Sequence, residues 1–187
     1  MKYKFIFFIL IILFTTSCSK YEELNNLSII SNIEIKYEDN NFILTMQEIN
    51  PIRNNESISY NYSYRTVVNK SLDKAFSNII YHSPKKIYLL KVQNIVINYK
   101  DHNKVFNELI KYQVNTNNIN KKSSIIISKN SLEEIMNISN DYQYIDSILK
   151  DKKISLKDSV KKSKKIKIPL LNIKNSELEF KKYITFN

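Results

Sequence analysis

One thiol is the most distinctive reactive group in this chain of 187 residues, and its setting says what it is for. Cys18 follows Lys2 and Lys4, an unbroken apolar run from Phe5 to Phe14, and the small polar stretch Thr15-Thr16-Ser17. The lysines hold the start of the chain on the cytoplasmic side. The apolar run is too short to cross a hydrocarbon core of about 30 Å as a stable helix. Small residues directly before a cysteine suit a peptidase that cleaves there once the thiol carries lipid. The expected chemistry is a thioether between Cys18 and diacylglycerol, with residues 1–17 removed as a signal peptide. Two acyl chains anchor durably where one binds only marginally. The competing readings are an uncleaved anchor and an ordinary secretory signal with an incidental cysteine. Thr15 stands where lipoprotein signals usually carry Leu.

No other residue type offers a comparable constellation. Cys18 is the only cysteine, so no disulfide can form within the chain. His82 and His102 are the only histidines, which leaves no zinc cluster to assemble. His82 precedes Ser83-Pro84 at an expected helix end and reads as structural. His102, beside Asp101 at an expected helix start, reads as solvated. Glycine is absent altogether. A phosphate-cradling P-loop, a dinucleotide fingerprint and a G-x-S-x-G nucleophile elbow all need it where the backbone bends sharply or approaches a ligand. No catalytic residue, metal site or cofactor is expected, and an exported cell-envelope enzyme stays a minor alternative. Asn must then fill the left-handed turn positions that Gly usually takes, at Asn40-Asn41, Asn54-Asn55 and Asn117-Asn118.

The formal charge of +11 is unevenly spread. Cys18 to Leu149 is nearly neutral, with 15 Lys and Arg against 14 Asp and Glu. Lys150 to Asn187 carries 12 Lys against 4 acids. For an exported lipoprotein this basic end argues against nucleic acid and for an anionic membrane surface or an acidic partner. Lys161, Lys162, Lys164 and Lys165 are the candidate membrane contact. A solvated, Lys-rich face is the bland alternative.

The elements that must carry these residues follow from periodicity. Asn26 to Lys36 and Phe42 to Ile49 alternate as strands around the turn Glu38-Asp39-Asn40-Asn41, with Pro51 closing the second and Ile52 to Glu56 a polar loop. Ser57 to Val68 is a strand whose stripe of Ile58, Tyr60, Tyr62 and Tyr64 should pack against helices. Asn69 to Tyr81 and Asp101 to Tyr112 have one apolar helical face each. Ile87 to Asn98 reads as one central strand, and Ser123 to Ser128 as a short buried one. Ser131-Leu-Glu-Glu134 has capping-box spacing and opens a third helix. Tyr142 to Leu149 is a further helix, Ser155 to Lys165 a weak Lys-rich one, and Glu177 to Phe186 is strand-like. The fold class is α+β: a mixed sheet with helices packed on one face, in the order β-β-β-α-β-α-β-α, plus a short Lys-rich C-terminal extension.

Several of these segments resemble one family. Cys18 to Lys36 followed by Phe42 to Pro51 resembles the start of the Ger(x)C family, the lipoprotein C subunits of spore germinant receptors. Leu44-Thr45-Met46-Gln47-Glu48-Ile49-Asn50-Pro51 fits the family form Leu-Thr-x-Gln-x-x-Asn-Pro. Ser71-Leu-Asp-Lys-Ala75 sits where the family has Thr-Ile-x-x-Ala, and Ser83 to Ile97 looks like its central strand. Glu108 to Lys111 occupies the place of the helix after it. Ile154 to Asp158 and Ile168-Pro-Leu-Leu171 look like the linker and the Pro-containing start of a second domain. Ser19-Lys20 replaces Trp-Asp, Glu34 and Lys36 replace Gly and Asp, and Lys91 stands where His is common.

The resemblance implies residues 18–150 as an N-terminal α+β domain and 151–187 as linker and fragment of a second. It implies a non-enzymatic scaffold or signal relay in germination. The protein would be held by acylated Cys18 on the outer face of the cytoplasmic (spore inner) membrane, beside multi-pass receptor subunits. A solute-binding lipoprotein of a transport system is the alternative.

Overall fold

The computed structural model describes residues 26–54, 57–139, 142–161 and 165–186. The first hairpin joins β1 (Leu27–Glu38) to β2 (Asn41–Asn54) through Asp39 and Asn40, at φ 48° and 62°. Two successive positive φ values make a type I′ turn, whose twist matches that of the strands. Asn40 therefore does the work of a glycine, as expected. Asn117 does so too, at φ 54° at the end of a helix. Asn54 is ordinary strand, and Asn55 lies outside the described residues.

β2 does not end at Pro51. It runs on to Asn54, antiparallel to β3 (Ser57–Asn69), with Pro51 opposite Tyr60 and Asn54 opposite Ser57. Ile52 to Asn54 is thus strand and not loop. Pro51 is tolerated because β1 pairs with β2 only as far as Ile49, so beyond that point β2 has one neighbour.

The segment expected as one central strand is broken. β4 (Lys86–Tyr88) and β5 (Asn94–Asn98) both pair parallel with β1, separated by a 3-10 turn at Leu89–Lys91. The pairing opposes Leu27 to Lys86 but Asn32 to Asn94, so the second segment has three more residues to place than β1 has. One 3-10 turn absorbs them. β1 answers with a bulge between Ile30 and Asn32, which turns Ile30, Ile33 and Ile35 into the same layer.

β6 (Ser124–Ser128) adds parallel to β5. β7 (Ile166–Lys174) adds parallel to β6, and β8 (Glu177–Phe186) turns back antiparallel on β7. Asn175 and Ser176, both at positive φ, form a second glycine-free hairpin turn. The sheet order is β3-β2-β1-β5-β6-β7-β8, with β4 beside β1. The α+β class and the mixed sheet are as expected.

Helices cover both faces. On one, α1 (Leu72–Tyr81), α2 (His102–Thr116) and α5 (Leu156–Val160) bury Phe76, Ile79, Leu109 and Leu156 against Ile33, Ile95, Ile125 and Ile168. On the other, α3 (Leu132–Ser139) and α4 (Tyr142–Leu149) bury Leu132, Ile135 and Ile145 against Val96, Ile126 and Leu171. The expected single layer holds for the first set only. β5 and β6 are buried on both faces, and only a two-sided cover satisfies them. Ser71 caps α1, Ser155 caps α5, and the capping box opens α3: Glu134 N donates to Ser131 Oγ at 3.2 Å, and Ser131 N donates to Glu134 Oε2 at 2.7 Å. α5 stops at Val160, short of the run expected to Lys165.

Glu177 to Phe186, strand-like in the sequence, pairs with β7 and closes this same sheet as its last strand. Phe186 lies against Phe106, with ring centroids 4.3 Å apart, and meets His102 edge-on. A C-terminal end packed into the core predicts that Phe186→Ala lowers unfolding free energy by about 3 kcal/mol. Urea denaturation checks this; a loss under about 0.5 kcal/mol, the scale of an ordinary surface change, would mark β8 as a detachable appendage.

Candidate functional site

Cys18, Lys162 and Lys164 lie outside the described residues. Lys161 and Lys165 are exposed, one just past α5 and the other directly before β7. Lys161 helps line a groove of about 360 Å³ between the end of α2 and α5, with Val114, Asn117, Lys121, Lys157 and Val160. Lys165 does not line it. A shallower groove of about 700 Å³ shares Asn117 and lies between the end of α1 and the 3-10 turn, where Ile80, Pro84, Lys85 and Leu90 line it. Sequence reading missed both grooves. Leu90 belongs to a run so apolar that burial was the natural inference, and only the 3-10 turn throws it outward.

Both histidines are structural. His82 closes α1, with Nδ1 2.9 Å from the Asn78 carbonyl. His102 is half-buried and not solvated as expected: Nδ1 sits 2.6 Å from the Tyr99 carbonyl, and the ring stacks on Tyr99 beneath Phe186. The late strand β8 brings Phe186 there, which local sequence could not announce. Among the described residues no group of three or more His, Cys, Asp or Glu could hold a metal ion.

The most organised polar feature lies under α3. Tyr64, Gln47, Asn32 and Asn94 stand side by side on β3, β2, β1 and β5. Gln47 Nε2 donates to Tyr64 Oη at 3.0 Å, Asn32 Nδ2 donates to Gln47 Oε1 at 2.6 Å, and Asn94 Nδ2 donates to Asn32 Oδ1 at 3.0 Å. Ser31 Oγ adds a second donor to Gln47 Oε1 at 2.9 Å. Asn32, Gln47 and Asn94 are buried, so each bond replaces one that water can no longer make. Gln47 is the glutamine of the Leu-Thr-x-Gln-x-x-Asn-Pro segment, and the line gives it a role: it closes the gap between β3 and β1. Tyr64 packs under this layer, whereas Tyr60 and Tyr62 of the same stripe are exposed.

Two residues further along β1, Glu34 is buried beside the start of α3, and the Lys36 ammonium lies 3.1 Å from its Oε1. That contact offsets charge without the alignment of a hydrogen bond, and Oε1 has no hydrogen-bond partner. Burial pushes the Glu34 carboxyl above its ordinary range. Lys36 and the backbone at Leu132 pull it back only in part, and the Glu134 charge adds to the rise. An acid whose folded pKa exceeds its unfolded one binds its proton more tightly when folded. Its contribution is therefore largest below pH 4.5 and is lost as pH rises through the folded value. Glu34→Gln removes that loss. The variant should match the wild type near pH 3 and exceed it in stability at pH 7, as thermal unfolding across pH would show. A variant less stable than the wild type at pH 7 would contradict this account of Glu34.

With this geometry in hand, comparison with known proteins gives one result. No curated protein and no solved structure matches the chain. The family model described as Spore germination protein N-terminal domain matches residues 20–166. That span runs from before β1 to the first residue of β7, and it contains the whole Tyr64-Gln47-Asn32-Asn94 line, the Glu34–Lys36 pair and both grooves. The chain belongs to the Ger(x)C family of spore germination proteins, through its N-terminal domain.

Proposed function

We propose that this protein is the C subunit of a germinant receptor, a scaffold or signal relay held on the outer face of the spore inner membrane by lipid on Cys18. The family match over residues 20–166 carries the reading, since the family is one of germination-receptor subunits and not a known enzyme family. The lone thiol after an apolar run supports the anchor. Multi-pass receptor subunits are its partners, and Lys161, Lys162, Lys164 and Lys165 meet anionic lipid headgroups near the point of attachment. Each lysine at such a surface contributes about 1 kcal/mol, fading within a Debye length. Among the described residues no helix is long and apolar enough to cross a membrane.

Two readouts test the proposal. Cells fed an alkyne-tagged fatty acid should label the wild type, and Cys18→Ala should lose the label. Spores carrying Cys18→Ala in place of the wild-type gene should lose most of their response to at least one nutrient, measured as release of spore refractility. Spores lacking the gene that answer every nutrient in a broad panel like the wild type would overturn the receptor reading. Equal labelling of Cys18→Ala would overturn the anchor.

A further inference from the structure

The exposed apolar side chains are not scattered. Nine large ones are exposed among the described residues, and seven of these lie toward one end of the sheet. That end is fixed by topology. β1 begins there, opposite Lys86 of β4, and the parallel strands β5 and β6 begin there as well. The β2–β3 arm runs to and past the start of β1: Tyr62 stands level with Ile29, and Tyr60 and Ile52 lie beyond the last β1–β2 pair. α1 and α2 both finish there, with Ile80, Tyr81 and Val114 in their last turns, and Leu90 stands on the 3-10 turn between β4 and β5. Tyr81 is 84% exposed, Val114 59% and Leu90 52%, well beyond the chance exposure of a core residue at an edge. A soluble surface does not normally gather apolar residues in this way.

Charge differs along the same axis. Exposed Lys85, Lys121, Lys157 and Lys161 line the two grooves at this end, with Asp158 beside them. At the far end, where β1 turns and α1, α2 and α3 start, Glu38, Asp39, Asp73, Asp101, Glu133 and Glu134 are nearly balanced by Lys70, Lys74, Lys100, Lys104 and Lys129. The apolar end also receives the chain from Cys18. Cys18 is eight positions before Asn26, a reach of at most about 28 Å when extended. Tyrosines, aliphatic side chains and lysines together are what an anionic bilayer surface accepts: apolar groups enter the acyl boundary while ammonium groups stay with the phosphates.

We propose that the end of the sheet where β1 begins is a bilayer-docking face, with Tyr81 and Leu90 inserted among anionic lipids and Lys85, Lys121 and Lys157 on their headgroups. The inference rests on Cys18 as the anchor and adds an orientation: the β1-start end lies on the membrane and the opposite, nearly charge-balanced end points away from it. It differs from the contact of the lysine run at 161–165 because it does not need those residues.

The chain has no tryptophan, so one introduced indole reports only its own surroundings. Acylated full-length Tyr81→Trp, Leu90→Trp and, as a control near the opposite end, Val68→Trp should be placed in vesicles of phosphatidylglycerol and phosphatidylcholine. All three sites are exposed, and the fold of each variant is checked by its unfolding temperature. The indoles at 81 and 90 should emit at shorter wavelength and be quenched by lipid carrying a spin label, while that at 68 is quenched by aqueous iodide. Adding K85Q, K121Q and K157Q to the Leu90→Trp chain should shift the docked equilibrium back roughly a hundredfold. Iodide access at 81 and 90 while the protein survives a salt wash on the vesicles overturns the docking face and leaves the anchor standing. Release by salt overturns the anchor and the face with it. Burial of these indoles that needs no vesicles and grows with protein concentration marks contact with a second copy and also overturns the proposal.

Discussion

A line of side-chain hydrogen bonds, Tyr64 to Gln47 to Asn32 to Asn94, crosses four adjacent strands and sets the terms for the rest of the molecule. Strand pairing through the backbone alone is forgiving, because a slip leaves backbone donors and acceptors able to re-pair. Here a slip would strand buried amides at a cost of about 1–3 kcal/mol each. β1 carries the central member, and β1 is also the strand with three partners: β2 antiparallel, β4 and β5 parallel. Its bulge at Ile30 to Asn32 lets it serve them all. The odd-numbered isoleucines beyond the bulge face α1 and α2, and Asn32 and Glu34 face α3.

Within the polar layer under α3, Glu34 and Lys36 lie two residues apart on the same face of β1, in contact with each other. A buried carboxylate alone would be expensive, and a neighbouring ammonium lowers the cost without cancelling it. Glu34 still sits above its ordinary pKa range because desolvation outweighs the pairing.

Much of this was legible in the residues. The first hairpin, α1, the capping box of α3 and the left-handed asparagines at 40 and 117 are each written in a short stretch, where local physics decides. What escaped was decided at a distance. Ile87 to Asn98 has the composition of one strand, and only its register against β1 breaks it. Ile166 to Lys174 alternates, but lysines and Pro169 mask the alternation. Pro169 is tolerated opposite Tyr183 because pairing with β6 begins one residue later, at Leu170. Tyr60, Tyr62 and Tyr64 share one face and one chemistry, and only tertiary packing separates the half-buried ring of Tyr64 from the exposed pair. The family could be read from the Leu44 to Pro51 segment, while the structural reason for its glutamine could not.

Sequence, fold and surface converge on a germination protein whose sheet has a nearly charge-balanced end and an apolar and basic end. β1 ties them together, because it carries the central member of the hydrogen-bonded line and also begins at the apolar and basic end. Backbone hydrogen exchange of the full chain tests the proposed bilayer orientation most directly, with the protein compared in detergent and on anionic vesicles. The account predicts slower exchange on vesicles confined to the end of α1 through the 3-10 turn and to the end of α2, near residues 79–91 and 114–121. Slowing confined to the turn at 38–41 and the start of α2 near 99–102, or no difference anywhere, would contradict it.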